Sequence, residues 1–169
     1  VAPPPRGRPG LRRGGPVWPD PPVSDGYKAG GGAAARPHER FSRTVTLSPD
    51  DVASFARAAG DDNPVHRDPA FAAATRVGGP IASGTQTTAL LLGLAASHFS
   101  ARGAMLGLEF WVRFRPPVPA GDTVMVEWPV VDVRADGRLG GDVVDLRGRV
   151  RRGDGVTAVG AKGRVPVTD

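Results

Sequence analysis

The sequence predicts an α+β domain in which a curved antiparallel sheet wraps around one long central helix. Three observations point there. Strand-like alternation opens the patterned part of the chain at Phe41, one apolar helical stretch runs from about Gly84 to Phe99, and four strand-like segments follow with no helix among them. A strand before such a helix and a meander after it leave the inner face of the sheet as the surface on which the helix can be buried.

In chain order, residues 1–40 come first, with nine of the 18 prolines and the run Gly30–Gly32. This composition buries too little apolar surface to offset chain entropy, so a disordered extension is expected, with the folded domain spanning residues 41–169. Phe41, Val45 and Leu47 then alternate with Ser42, Thr44 and Thr46, a strand interrupted in pattern only by Arg43. Ser48-Pro49-Asp50-Asp51 supplies an N-cap, a proline at the first helical position and acidic residues in the first turn of a helix that runs to Ala59 and stops at Gly60. A short second helix is expected over Pro69–Thr75. The long helix is apolar at Leu90, Leu91, Leu94, Ala95 and Phe99, which makes it the core element. The four later strands are expected over Leu108–Arg115, Thr123–Val133, Asp142–Arg151 and Val156–Val167. Turn signals at Ala120-Gly121-Asp122, Asp136-Gly137 and Gly153-Asp154-Gly155 separate them.

The formal net charge of +5 raises nucleic-acid binding, but the charge is unevenly placed. Seven basic and three acidic residues lie in residues 1–40, leaving 15 basic and 14 acidic residues in a nearly neutral body. The basic tail lacks the interleaved aromatics that stack bases, so no nucleic-acid partner is expected. The longest apolar stretch, near Thr88–Ala96, is far shorter than the ~20 residues that span a bilayer, and no apolar leader core precedes it, so a cytoplasmic protein without membrane partners is expected. With no cysteine and three scattered histidines (His38, His66, His98), no metal site is expected.

Two segments carry candidate chemistry. Gly60-Asp61-Asp62-Asn63-Pro64-Val65-His66 puts a carboxylate and an imidazole on an irregular stretch that must turn, so both can converge on one small site. Together they can hold a water, take its proton and deliver another to carbon. The same composition also suits a plain helix stop and turn with a structural histidine. The second segment, Gly79-Pro80-Ile81-Ala82-Ser83-Gly84-Thr85-Gln86, opens the long helix. Ser83 and Gln86 have capping-box spacing, with the Gln86 side chain expected to reach back to Ser83. The Gly84 and Thr85 amides at the positive end of the helix would suit an oxyanion, and Gly84 would admit a ligand close to the backbone. On this segment alone an ordinary helix cap with no ligand is the simpler reading, since every helix needs a cap.

Over residues 41–167 the chain resembles the MaoC-like dehydratases and R-specific enoyl-CoA hydratases. Phe55 precedes Gly60-Asp61-Asp62-Asn63-Pro64-Val65-His66, and Ala72 stands at the small position beyond it. Asp68-Pro69-Ala70-Phe71-Ala72, Pro80-Ile81-Ala82 with Gly84, and Phe114-Arg115-Pro116-Pro117-Val118 with Gly121-Asp122 are similar too. The resemblance implies a hot-dog fold, a homodimer joined through its sheets, and a thioester substrate on CoA or acyl carrier protein. It implies reversible hydration of an enoyl thioester, with Asp61 and His66 as the catalytic pair, Asn63 positioning the site and Ser83, Gly84, Thr85 and Gln86 binding substrate. That chemistry needs no cofactor. Ser83 stands where many such hydratases carry His, and Thr85 where an apolar residue is common, which points to a short, branched or functionalised acyl group. A hot-dog thioesterase and a non-catalytic acyl-binding subunit are the alternatives. The Asp-x-Asn-Pro-x-His signature speaks against the first, and the presence of both Asp61 and His66 against the second.

Overall fold

The structure, a computed structural model, describes residues 35–168. The expected disordered extension thus lies, up to residue 34, outside the described residues. Its last residues depart from expectation. Ala35 is fully buried, the His38 N–H donates to the Val130 carbonyl at 3.1 Å, and the Val130 N–H donates to the Glu39 carbonyl at 2.8 Å. The domain boundary therefore falls before residue 41, because backbone pairing with a distant strand orders a segment whose composition alone suggests a tail.

Strand β1 (Arg40–Thr46) is followed by helix α1 (Pro49–Ala58), a 3₁₀ turn (Pro64–His66), helix α2 (Pro69–Ala73) and the long helix α3 (Gly84–Ser100). Strands β2 (Ala104–Met105), β3 (Glu109–Phe114), β4 (Thr123–Asp136), β5 (Gly141–Arg152) and β6 (Thr157–Thr168) complete the chain. The four expected late strands are β3 to β6. The two-residue β2 and the 3₁₀ turn were not expected, since neither is long enough to show a periodicity. Pairing is antiparallel throughout, in the order β1-β4-β5-β6-β2, with β3 also pairing with β6.

Helix starts follow the sequence signals closely. Ser48 Oγ accepts the Asp51 N–H at 3.1 Å and Asp68 Oδ1 accepts the Phe71 N–H at 3.0 Å, so the first turns of α1 and α2 are satisfied by side chains. Helix α3 buries Leu91, Leu94, Ala95 and Phe99 in the same core as Val126, Trp128, Val144 and Leu146 of the sheet. Trp128 is fully buried and its indole N–H donates to the Leu91 carbonyl at 2.8 Å, so the largest core side chain is also satisfied. A Cβ at Gly148 of β5 would stand 2.5 Å from this indole, so that strand gives up its side chain to let the ring lie flat on it. The result is one sheet curved around one helix, with the start of α3 at the edge of the core. Among the described residues no helix is long and apolar enough to cross a membrane.

Candidate active site

The segment after α1 is built from short polar side chains that satisfy its own backbone. The Asp61 N–H donates to the Ala56 carbonyl at 2.9 Å, and Asp61 Oδ1 accepts the Asn63 N–H at 3.1 Å. Asn63 Oδ1 in turn accepts the Val65 N–H at 3.2 Å and caps the 3₁₀ turn that carries His66. His66 is 7% exposed, and its Nδ1 donates to the Ile81 carbonyl at 2.7 Å. A carbonyl only accepts, so the neutral ring keeps its proton on Nδ1 and presents a bare lone pair at Nε2. That atom faces Asp61 Oδ2 at 3.4 Å. The separation is longer than the usual N–H···O range, so neither group is used up by the other and one water can bond to both.

The turn is fastened to the start of α3. The Ile81 N–H donates to the Val65 carbonyl at 3.3 Å and the Ala82 N–H to the Val118 carbonyl at 2.9 Å, which sets Asp61, His66 and the helix start side by side. Ser83 caps α3, its Oγ accepting the Gln86 N–H at 3.1 Å. The other half of the expected capping box is not formed. Gln86 is buried and its Oε1 has no hydrogen-bond partner among the described residues. Thr85 takes part in the cap instead, its hydroxyl 2.9 Å from Ser83 Oγ. The first-turn amides of Gly84 and Thr85 have no partner within the helix, as at any helix start.

Two cavities meet at this point. One of about 340 Å³ is lined by His66, Ile81, Ala82, Gly84 and Thr87, with Arg76 and Arg115 also on its wall. The other, of about 500 Å³, is lined by Asp61, Gly84, Thr85, Thr88, Ala89, Leu92 and Phe114. Phe114 also lines the first. Of the residues expected to bind substrate, Gly84 and Thr85 reach a cavity. Ser83 and Gln86 line neither, because one is consumed as a cap and the other sits about 100° around the helix from Thr85, on the buried side. Asn63 lines neither as well and serves as the cap of the His66 turn. The space at Gly84 is taken by the chain itself, since a Cβ there would stand 2.9 Å from Phe114 Cζ. Phe114, Arg76 and Arg115 were not singled out as site residues. The spacing of Thr85, Thr88, Ala89 and Leu92 at i, i+3, i+4 and i+7 was the available signal for a groove along α3.

A helix wrapped by one antiparallel sheet defines the hot-dog class, and here a carboxylate and an imidazole stand beside the helix start. The chain belongs to the MaoC-like family: the family model described as MaoC like domain matches residues 33–149. The (R)-specific enoyl-CoA hydratase of Aeromonas caviae is 37% identical over 106 residues, 62% of this chain and 73% of that protein. The 3-hydroxyacyl-thioester dehydratase Z of Mycobacterium tuberculosis is 38% identical over 104 residues, 60% of this chain and 69% of that protein. Among solved structures, the (R)-hydratase from A. caviae involved in PHA biosynthesis superposes with a TM-score of 0.71 at 28% identity, covering 79% of this chain and 97% of that one. The unliganded R-hydratase PhaJ1 from Pseudomonas aeruginosa gives 0.70 at 27% identity, covering 80% and 83%.

Proposed function

We propose that the chain is a hydro-lyase that adds water across the double bond of a 2-enoyl thioester, and removes it from the 3-hydroxyacyl thioester, with Asp61 and His66 as its catalytic pair. The observation that carries the assignment is the placing of His66, with Nδ1 at 2.7 Å from the Ile81 carbonyl and Nε2 at 3.4 Å from Asp61 Oδ2. The Nδ1 proton is held by that carbonyl, so Nε2 has a lone pair to spare. A water bonded to both atoms loses one proton to the pair as its oxygen attacks the β-carbon. The pair then delivers a proton to the α-carbon, so the net addition is H and OH. The charge that builds on the thioester oxygen during attack is met by the Gly84 amide at the positive end of α3. Asn63 supports the pair by holding the turn beneath His66.

Arg76 and Arg115 are exposed and line the His66 cavity, where guanidinium groups suit a phosphate. CoA and the pantetheine arm of an acyl carrier protein both carry phosphate, so this rim accommodates either carrier. The names of the relatives support the reaction class: one is a hydratase of enoyl-CoA, the other a dehydratase of 3-hydroxyacyl thioesters.

The test is turnover of purified protein on CoA-linked and carrier-protein-linked enoyl thioesters, followed by loss of the conjugated double bond. Asp61→Asn and His66→Ala should each lower kcat by on the order of 10²–10⁴, with the double variant far from additive. Wild-type turnover by either single variant would overturn the assignment.

A homodimer is part of the same reading. Strand β3 pairs with β6 on one side, and the neighbouring Leu106, Leu108 and Trp111 are exposed, an unusual load of apolar surface beside a strand edge. Light scattering should give twice the chain mass in dilute solution. A fully active monomer would remove the dimer from the argument.

A further inference from the structure

Asp61 and His66 stand 3.4 Å apart, yet they open into different cavities. Gly84 and Phe114 are the two residues common to both walls. The tip of the Phe114 ring lies against the first residue of α3, with Cζ and Cε1 at 2.9 and 3.0 Å from where a Gly84 Cβ would be. The ring is thus a partition standing beside the helix-start amide.

We propose that Phe114 is the specificity-determining residue of this site, a partition that must turn aside for substrate and whose size decides which acyl groups reach Asp61 and His66. The proposal rests on the hydration reading above. Helix α3 offers an acyl groove beyond the ring: Thr85 and Thr88 near Asp61, then Ala89 and Leu92, all on one helix face. The His66 cavity with Arg76 and Arg115 lies on the other side of the ring and suits the carrier arm. An acyl thioester reaching from carrier side to groove has to cross the line that Phe114 holds.

The ring is 56% exposed, and it belongs to the last residue of β3, whose backbone is fixed by pairing with Val159. Turning about its side-chain bonds therefore needs no shift of the sheet. The period of two along β3 sends Phe114 to the same side as the half-buried Phe110 and Val112, toward α3, so pairing at the outer backbone edge of β3 leaves the ring's setting intact. In the position seen here the ring covers Gly84. Swung out, it would leave Gly84 open to both cavities and join them into one cleft.

Size selection follows from volume. One methylene misfit in an apolar pocket is worth roughly 10–200-fold in specificity, and a phenyl ring is several such units. Phe114→Ala should raise kcat/KM for an eight-carbon or α-branched enoyl-CoA, relative to the four-carbon enoyl-CoA, by about tenfold or more. Phe114→Trp should lower the same ratio, and Phe114→Leu should fall between wild type and Ala. Binding of saturated four- and eight-carbon acyl-CoA, measured by calorimetry, should shift in the same order without any turnover. Because the ring is half exposed, the melting temperature should stay close to that of wild type, and the Leu variant guards against misfolding of the Ala form. An acyl-size ratio unchanged in the Ala, Leu and Trp variants overturns the proposal. If the binding ratio shifts as expected while no thioester is hydrated even by wild type, the hydration reading fails and Phe114 stands as the size filter of an acyl-binding site.

Discussion

Helix α3 has a histidine–carboxylate pair beside each end, and the two pairs are built in opposite ways. Beside its start, His66 and Asp61 are held by backbone groups, Ile81 on one side and Asn63 on the other, and they face each other across 3.4 Å on cavity walls. Near its end, His98 Nε2 is 2.9 Å from Glu39 Oε1, its ring stacks on Phe41 at 3.7 Å, and it meets Phe99 edge-on at 5.0 Å. Glu39 is also gripped by Arg102 through both carboxylate oxygens, at 2.6 and 3.0 Å. Burial does not separate the pairs, since His66 is the more buried of the two histidines. What separates them is spare capacity. In the first pair His66 Nε2 and Asp61 Oδ2 lie beyond hydrogen-bond distance of each other on cavity walls, whereas in the second nearly every polar atom is engaged by protein. A buried imidazole beside a carboxylate is a reactive centre only when the protein leaves it something to do.

Truncating each histidine in turn should separate the two pairs by their effects. His66→Ala should abolish most turnover, with a stability cost confined to the lost bond to the Ile81 carbonyl, about 1–3 kcal/mol. His98→Ala should keep its turnover and lose stability alone: it removes a stacked and an edge-on aromatic contact together with the partner of Glu39, a loss of about 1–3 kcal/mol. Urea unfolding and steady-state turnover of the two variants make the check. A His98→Ala protein as inactive as His66→Ala would show that both pairs serve the reaction.

The same contrast marks what was legible in the sequence. Local signals were reliable where local chemistry decides: Ser48 and Ser83 cap their helices, and the alternation around Phe41 and Phe110 marks strands. Asp61 and His66 were legible because five residues with an Asn-Pro between them have to turn. The rest depends on contacts distant in sequence. Glu39 was assigned to a tail, since nothing nearby in sequence shows that its partners are 59 and 63 residues away. Gln86 had the right spacing for a capping box, yet its Oε1 makes no bond, because the helix turns that side chain inward. Gly84 was read as room for a ligand, and its neighbour proved to be Phe114, 30 residues on. A glycine in sequence announces a close approach without saying of what.

A smaller effect sharpens the comparison through pH. The Glu39 carboxyl is held below its ordinary value of 4.5, first by the hydrogen bond from Arg102, and further by the Arg36 N–H and by His98, against the opposing pull of burial. A carboxyl with a lowered value in the folded state binds protons more weakly there than in the unfolded chain. Its stabilising contribution is therefore present above about pH 4.5 and is lost as pH falls through the lowered folded value. Glu39→Gln keeps the shape of the side chain but removes the titration. Many carboxylates contribute to acid unfolding, so the informative quantity is the difference between the two proteins. Wild type should be the more stable near neutrality, and its advantage over Glu39→Gln should shrink as pH drops below about 4.5. Urea midpoints at half-unit steps from pH 6 down to 3 would show the two curves converging. Curves that stay parallel through that window would mean that ionisation of Glu39 adds nothing to the stability of the folded state, and the charge of the engaged pair beside the end of α3 would lose its standing as a structural clamp.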